Sequence, residues 1–153
     1  MATFPRIFVF LFLFFFSAAL QFSQSLGANE GPYKELMSYG FPLGLLPTGV
    51  SSYTINRTSG VFSLHLGESC RVTLPPDNYL ATYSPTITGK IVENRIAELQ
   101  GISVRAFFKW WGITGIRSSG QDLVFEVGVV TAKYPSKNFD RSPDCEGRRS
   151  ASS

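Results

Sequence analysis

"FFKWWGITGIRSSGQDLVFEVGVV", residues 107–130, decides the fold class. Apolar and polar residues alternate on both sides of the polar break Arg117-Ser118-Ser119-Gly120-Gln121. A period of two is a strand signature, and a glycine-containing break between two such runs predicts a hairpin. The two strands are predicted over 103–116 and 123–132. Setting Ile116 opposite Leu123 places Phe108, Trp110, Gly112, Thr114 and Ile116 on one face with Leu123, Phe125, Val127 and Val129. That face is nearly all apolar and is expected to be core, with Trp110 inside it. The other face carries Arg105, Phe107, Lys109, Trp111 and Ile113 with Val124, Glu126, Gly128 and Val130. Trp111 then lies across from Gly128, which leaves room for its indole. A slip of one residue would exchange the face partners.

Working outward, the same period recurs. Ser51, Tyr53 and Ile55 alternate before the turn signal Arg57-Thr58-Ser59-Gly60, and Phe62, Leu64 and Leu66 alternate after it. Residues 70–74 make a third strand ended by Pro75-Pro76. Residues 79–83 and 87–92 make two more, split by Ser84-Pro85, and 96–99 read as a helical turn or a strand end. The expected helix spans 29–40, with Asn29 as cap, Pro32 in the first turn and Gly40 at the exit. Between it and the strands, "FPLGLLPTG" mixes Pro and Gly with Phe41, Leu43, Leu45 and Leu46, and predicts a packed loop. About seven short strands with intervening turns predict a mainly β fold. The expectation is a single antiparallel β-barrel or β-sandwich-like domain with one short N-terminal helix.

The N-terminus shows a single basic residue, Arg6, then an apolar run over 7–16 and small residues at Ser17, Ala18 and Ala19. That order predicts a secretory signal peptide. Cleavage after Ala19, after Ser25 or close to Ala28 are the alternatives. The expected organisation is a signal peptide over 1–27, one β-rich domain over 28–146 and a disordered tail over 147–153. Removing Arg6 takes the formal charge from +3 to +2. The remaining basic residues are dispersed, which argues against nucleic acid, since that partner needs a basic stripe. In a secreted chain Cys70 and Cys145 are expected to form one disulfide. Asn56-Arg57-Thr58 is a glycosylation acceptor triplet in a turn-like stretch.

Catalytic motifs are missing from the sequence. There is no nucleophile elbow, paired-histidine metal motif or phosphate loop. The one histidine, His65, alternates away from Phe62, Leu64 and Leu66 and is expected at the surface. Glu93 and Glu98 read as solvated charges. No cofactor and no metal are expected. The mixed face of the 103–116 strand has two readings. In one, the helix and the 41–46 loop cover it. In the other it lines a cleft for an apolar ligand with an anionic head, and the candidate ligand-binding residues are Arg105, Phe107, Lys109, Trp111 and Glu126.

The blocks "ELMSYGFPLGLLPTGVSSYTI", "GVFSLHLGESC", "LQGISVRAFFKWWGITGI", "LVFEVGVV" and "PDC" resemble the plant family known as domain of unknown function 538. The likeness runs from about Tyr33 to Cys145. It implies a small secreted or endomembrane β-rich domain, with proposed similarity to lipid-binding domains of the bactericidal/permeability-increasing type and a proposed hydrolase role. It brings no residue roles. The expected function is a secreted, non-enzymatic binding module for an amphipathic lipid or other apolar molecule, with possible transient contact with a membrane surface. The alternatives are a hydrolase of lipid or pigment esters and a cell-wall or receptor-interacting protein.

Overall fold

The computed structural model describes residues 31–147. The expected signal peptide over 1–27, the Asn29 cap and the tail beyond Gly147 lie outside the described residues.

The chain opens with α1 (Gly31–Ser38), two turns long, which buries Pro32 and Leu36. So short a helix holds only by docking, and an ion pair between Glu35 and Arg57 ties it to the first hairpin. Gly40, at φ +93°, lets the backbone leave the helix. Phe41, Leu45 and Leu46 are then buried around a 3-10 turn at Leu43–Leu45, so the Pro/Gly-rich segment is the packed loop its composition predicts.

Nine strands follow: β1 (Ser52–Ile55), β2 (Val61–His65), β3 (Cys70–Leu74), β4 (Tyr79–Val92), β5 (Arg95–Ala106), β6 (Lys109–Gly112), β7 (Gly115–Ser119), β8 (Asp122–Val127) and β9 (Val130–Pro135). They form one antiparallel sheet in the order β1-β2-β4-β5-β7-β8-β9, with β3 added to β4 and β6 added to β5. β1 and β9 are the two ends of that path. The sheet is therefore not closed into a barrel, and the overall form is sandwich-like. Long β4 and β5 make this possible. Each gives one half of its length to one set of neighbours and the other half to another: β4 pairs β3 over 79–83 and β2 over 86–90.

The count rises from about seven strands to nine for local reasons. Ser84-Pro85 does not end a strand. Between the pairs Tyr83↔Ile102 and Thr88↔Gln100, β4 holds four residues against the single Gly101 of β5. The excess is absorbed as a bulge, and the strand continues. Residues 96–99 are strand. The predicted 103–116 strand is in fact the end of β5, a turn at Phe107-Phe108, all of β6, and the start of β7. The predicted 123–132 strand breaks at Gly128-Val129, with Gly128 at φ +64°.

These breaks correct the predicted faces. Ile116 pairs with Phe125, not Leu123. A shift of two preserves faces, and Ile116, Leu123 and Phe125 are all core as expected. Across Thr114 the parity inverts. Ile113 and Ile116 are both buried although three residues apart, which a continuous strand forbids. The non-strand step at Ile113-Thr114 supplies the extra residue. As a result Phe108 is 96% exposed and Trp110 40% exposed, and neither belongs to the core. Trp111 pairs with Val104 of β5 and does not face Gly128.

The last described segment folds back. Phe139, in a 3-10 turn at Ser136–Phe139, is buried. Cys145 is bonded to Cys70 at the start of β3, with Cα atoms 5.1 Å apart. Hydrogen bonds from Glu146 N to Arg71 O (2.8 Å) and from Thr48 N to Pro143 O (2.9 Å) fasten both sides of that bridge.

Candidate functional site: an apolar cavity at one end of the sheet

Three hairpin turns meet at one end of the fold. The register Leu80↔Arg105 puts the β3–β4 and β5–β6 turns at the same end of the sheet. The β8–β9 turn joins them across a cavity of about 500 Å³. Small-molecule sites span ~300–1,000 Å³, so the space suits an organic ligand. Its walls include Val104 and Ala106 from β5, Trp111 from β6, Val127 from β8 and Ala132 from β9. Phe125 and Phe139 form the floor, their rings 5.6 Å apart, and Tyr134 meets Phe125 edge-on at 6.1 Å.

Trp111 is held in place. Its Nε1–H donates to Ala106 O at 3.0 Å. The Lys109 ammonium lies 5.0 Å from the centre of its ring, within cation–π range. Ala106 and Lys109 are direct partners across the turn, so Lys109 stands at the rim on the cavity's side of the hairpin. The polar groups on the walls are few: Tyr79, Thr131 and Tyr134. Burial, then the neighbouring Tyr79 and the Asp77 carboxylate, push the Tyr134 hydroxyl above its ordinary pKa. It therefore stays a neutral donor throughout the physiological range.

Of the five candidate residues, the fold brings together Phe107, Lys109 and Trp111. Phe107 and Trp111 line the cavity, with Lys109 above the indole. Arg105 pairs with Trp110 on the outer face of the hairpin. Glu126 lies elsewhere: its carboxylate is 3.2 Å from Arg117 and 3.8 Å from Arg95. The helix and the 41–46 loop do not line this cavity; Leu36, Tyr39 and Leu45 instead border a separate void of about 70 Å³ on β1, β2, β4 and β5. His65 is half-buried beside Ser63 and Thr86, away from the cavity. Among the described residues no cluster of metal-binding side chains is present. Asn56 is exposed on the β1–β2 turn, and its Oδ1 accepts from Thr58 N (2.9 Å) and Ser59 N (3.1 Å).

Sequence reasoning missed Tyr79, Tyr134 and Phe139 as site residues. The only signal for Phe139 was a lone aromatic in a polar tail. Gly128 inside an apolar run could have revealed the β8–β9 turn, and with it the inward course of Val127 and Ala132.

The family described as "Protein of unknown function, DUF538" matches residues 32–140. The chain belongs to this family. The DUF538 match takes in α1 from its second residue, all nine strands and every residue that lines the cavity. It stops short of Cys145, so one half of the disulfide lies beyond it. No curated protein and no solved structure matches this chain.

Proposed function

We propose that this DUF538 protein is a binding module for an amphipathic lipid or comparable apolar molecule, carried in the cavity at the three-turn end. The observation behind the reading is the cavity itself: about 500 Å³, walled by aliphatic and aromatic side chains. Burying apolar surface there is favourable by about 25 cal/mol per Å². An alkyl tail would lie against Phe125, Val127 and Trp111. The charges around the rim orient the head. Asp77 stands beside Tyr134 on one side, which disfavours an anion there. Lys109 stands over Trp111 on the other, which favours one. A carboxylate or phosphate head therefore sits on the Lys109 side, away from the hydrogen-bonded group of Tyr79, Tyr134 and Asp77. Export to an oxidising compartment fits the Cys70–Cys145 bridge.

The test is titration of the purified protein with a fluorescent fatty acid, displaced by unlabelled fatty acid and by lysophosphatidylcholine. Binding in the micromolar range is expected. Ala132→Trp, which drives an indole into the cavity, abolishes binding while the circular dichroism stays native. Lys109→Glu weakens the fatty acid more than an alkyl alcohol of equal length. No saturable binding, or undiminished binding to a folded Ala132→Trp protein, defeats the reading.

A further inference from the structure

We infer that the β5–β6 and β8–β9 hairpin ends dock this protein on an anionic lipid bilayer. The inference deepens the cavity reading, because it names the bilayer as the source from which the ligand enters.

The apolar surface is concentrated where a bilayer could reach it. The described residues include eight large exposed apolar side chains, and five of them, Phe107, Phe108, Trp110, Val129 and Val130, belong to these two hairpins. Phe107 is 87% exposed, Phe108 96%, and Val129 fully so. Exposure of this kind in one place marks an interaction site. The turn chemistry makes the same point independently. Phe107 and Phe108 have φ values of 52° and 64° and form a two-residue hairpin loop, since Ala106 pairs with Lys109. Both positive values belong to a type I′ turn, which favours Asn-Gly. Bulky residues are strained there. Two phenylalanines suit neither the turn nor water, but aromatic rings suit the interface of a membrane.

The charges select the partner. Arg105 and Lys109 flank the Phe107-Phe108 turn, both are exposed, and neither forms an ion pair among the described residues. The acids near this end are engaged elsewhere: Asp77 faces Tyr134, Glu126 is paired with Arg117, and Glu146 accepts from the Thr73 hydroxyl. A second copy of this chain docked by a two-fold axis would set the patch against itself, Arg105 and Lys109 included. An anionic surface complements those charges, as it does for basic residues beside inserted apolar groups. The cavity is continuous with the patch, because Phe107 and Val130 belong to both. Once the tips are inserted, the cavity opens toward the acyl region.

Vesicle co-sedimentation tests this. The protein is expected to sediment with mixed phosphatidylcholine–phosphatidylserine vesicles, much less with phosphatidylcholine alone, and less as salt rises. Phe108→Gly/Val129→Ser removes two tips that do not line the cavity, and glycine relieves the positive φ at 108. The double variant should melt no lower than wild type, still bind a soluble fluorescent fatty acid, and lose at least about tenfold in vesicle affinity. Arg105→Gln/Lys109→Gln should lose about tenfold or more on anionic vesicles alone. Equal sedimentation of wild type and the Phe108→Gly/Val129→Ser variant overturns the docking surface. So does a wild type that ignores both vesicles, or one that is a dimer in gel filtration and becomes monomeric in that variant without ever binding vesicles. A protein that sediments as expected but takes up no soluble fatty acid leaves the docking surface standing and removes the cavity reading instead.

Discussion

Trp110 and Trp111 are adjacent in sequence and opposite in environment. Trp110 lies on the outer face, 40% exposed, with Arg105 across from it. Trp111 is half-buried, walls the cavity and donates to Ala106 O. Trp110→Ala should therefore lower stability by about 1 kcal/mol or less, in the range of surface changes. Trp111→Ala removes packing and a hydrogen bond together, and should lower it by about 2–3 kcal/mol. Chemical denaturation of the two variants measures both. A larger loss for Trp110→Ala would contradict the observed faces. Acrylamide quenching of the remaining tryptophan gives a second readout, strong for Trp110 and weak for Trp111.

At the scale of the element, the bulge between β4 and β5 controls how the sheet bends. Gly101 has φ +104°, and a Cβ there would lie 2.7 Å from Thr86 O and 3.1 Å from the Ile87 Cα. Both contacts are with backbone, so neither can move aside alone. Gly101→Ala should destabilise by about 2–4 kcal/mol through strain and overpacking, seen as a lowered denaturation midpoint. Ile87, among the most buried side chains of the molecule, would be displaced with it. A native-like midpoint would show that the bulge rearranges without loss. The Phe107-Phe108 turn is the opposite case, a local conformation kept at its own expense. Phe107→Asn/Phe108→Gly should raise stability by about 1–2 kcal/mol, seen as a higher denaturation midpoint.

For the whole molecule, the disulfide and the buried tyrosines set the conditions of stability. The bridge spans 75 residues and holds the terminal segment against β3 and the loop at Thr48. Chain entropy alone assigns it about 4 kcal/mol. Cys70→Ser/Cys145→Ser, or reduction, should lower the melting temperature sharply, and non-reduced peptide mapping should recover Cys70 with Cys145. Tyr83 is buried, with its hydroxyl donating to Leu45 O at 2.9 Å, and burial drives its pKa well above the ordinary 10.0. Burial raises Tyr33 and Tyr134 as well. Above pH 10 the unfolded chain releases tyrosine protons that the folded chain retains. That contribution to stability is complete below pH 10 and is lost as pH climbs through the folded values. Phenolate absorbance should rise in two stages, the second coinciding with loss of circular dichroism. A single stage with the fold intact would refute the burial of these hydroxyls.

The sequence by itself determined the mainly β class, the helix ahead of the strands, the packed 41–46 loop, the first hairpin and the pairing of Cys70 with Cys145. Each rests on short-range chemistry: alternation over four to eight residues, Gly and Pro at turns, and two thiols with no third. The core assignment of Ile116, Leu123 and Phe125 was legible for the same reason, because a register error of two leaves a face unchanged. Tertiary structure alone decided what lies on either side of Trp110 and Trp111. The Phe107-Phe108 turn has no turn-forming residues to announce it, and the parity break at Ile113-Thr114 has no local signature. Both are held by β5, which pairs β6 along one half and β7 along the other. The cavity is likewise a long-range product. Its walls come from six strands and a terminal turn, brought to one end of the sheet by pairings between residues far apart in the chain. Local pattern therefore identified Phe107, Lys109 and Trp111 as unusual, and only the assembled sheet could separate them from Arg105 and Glu126.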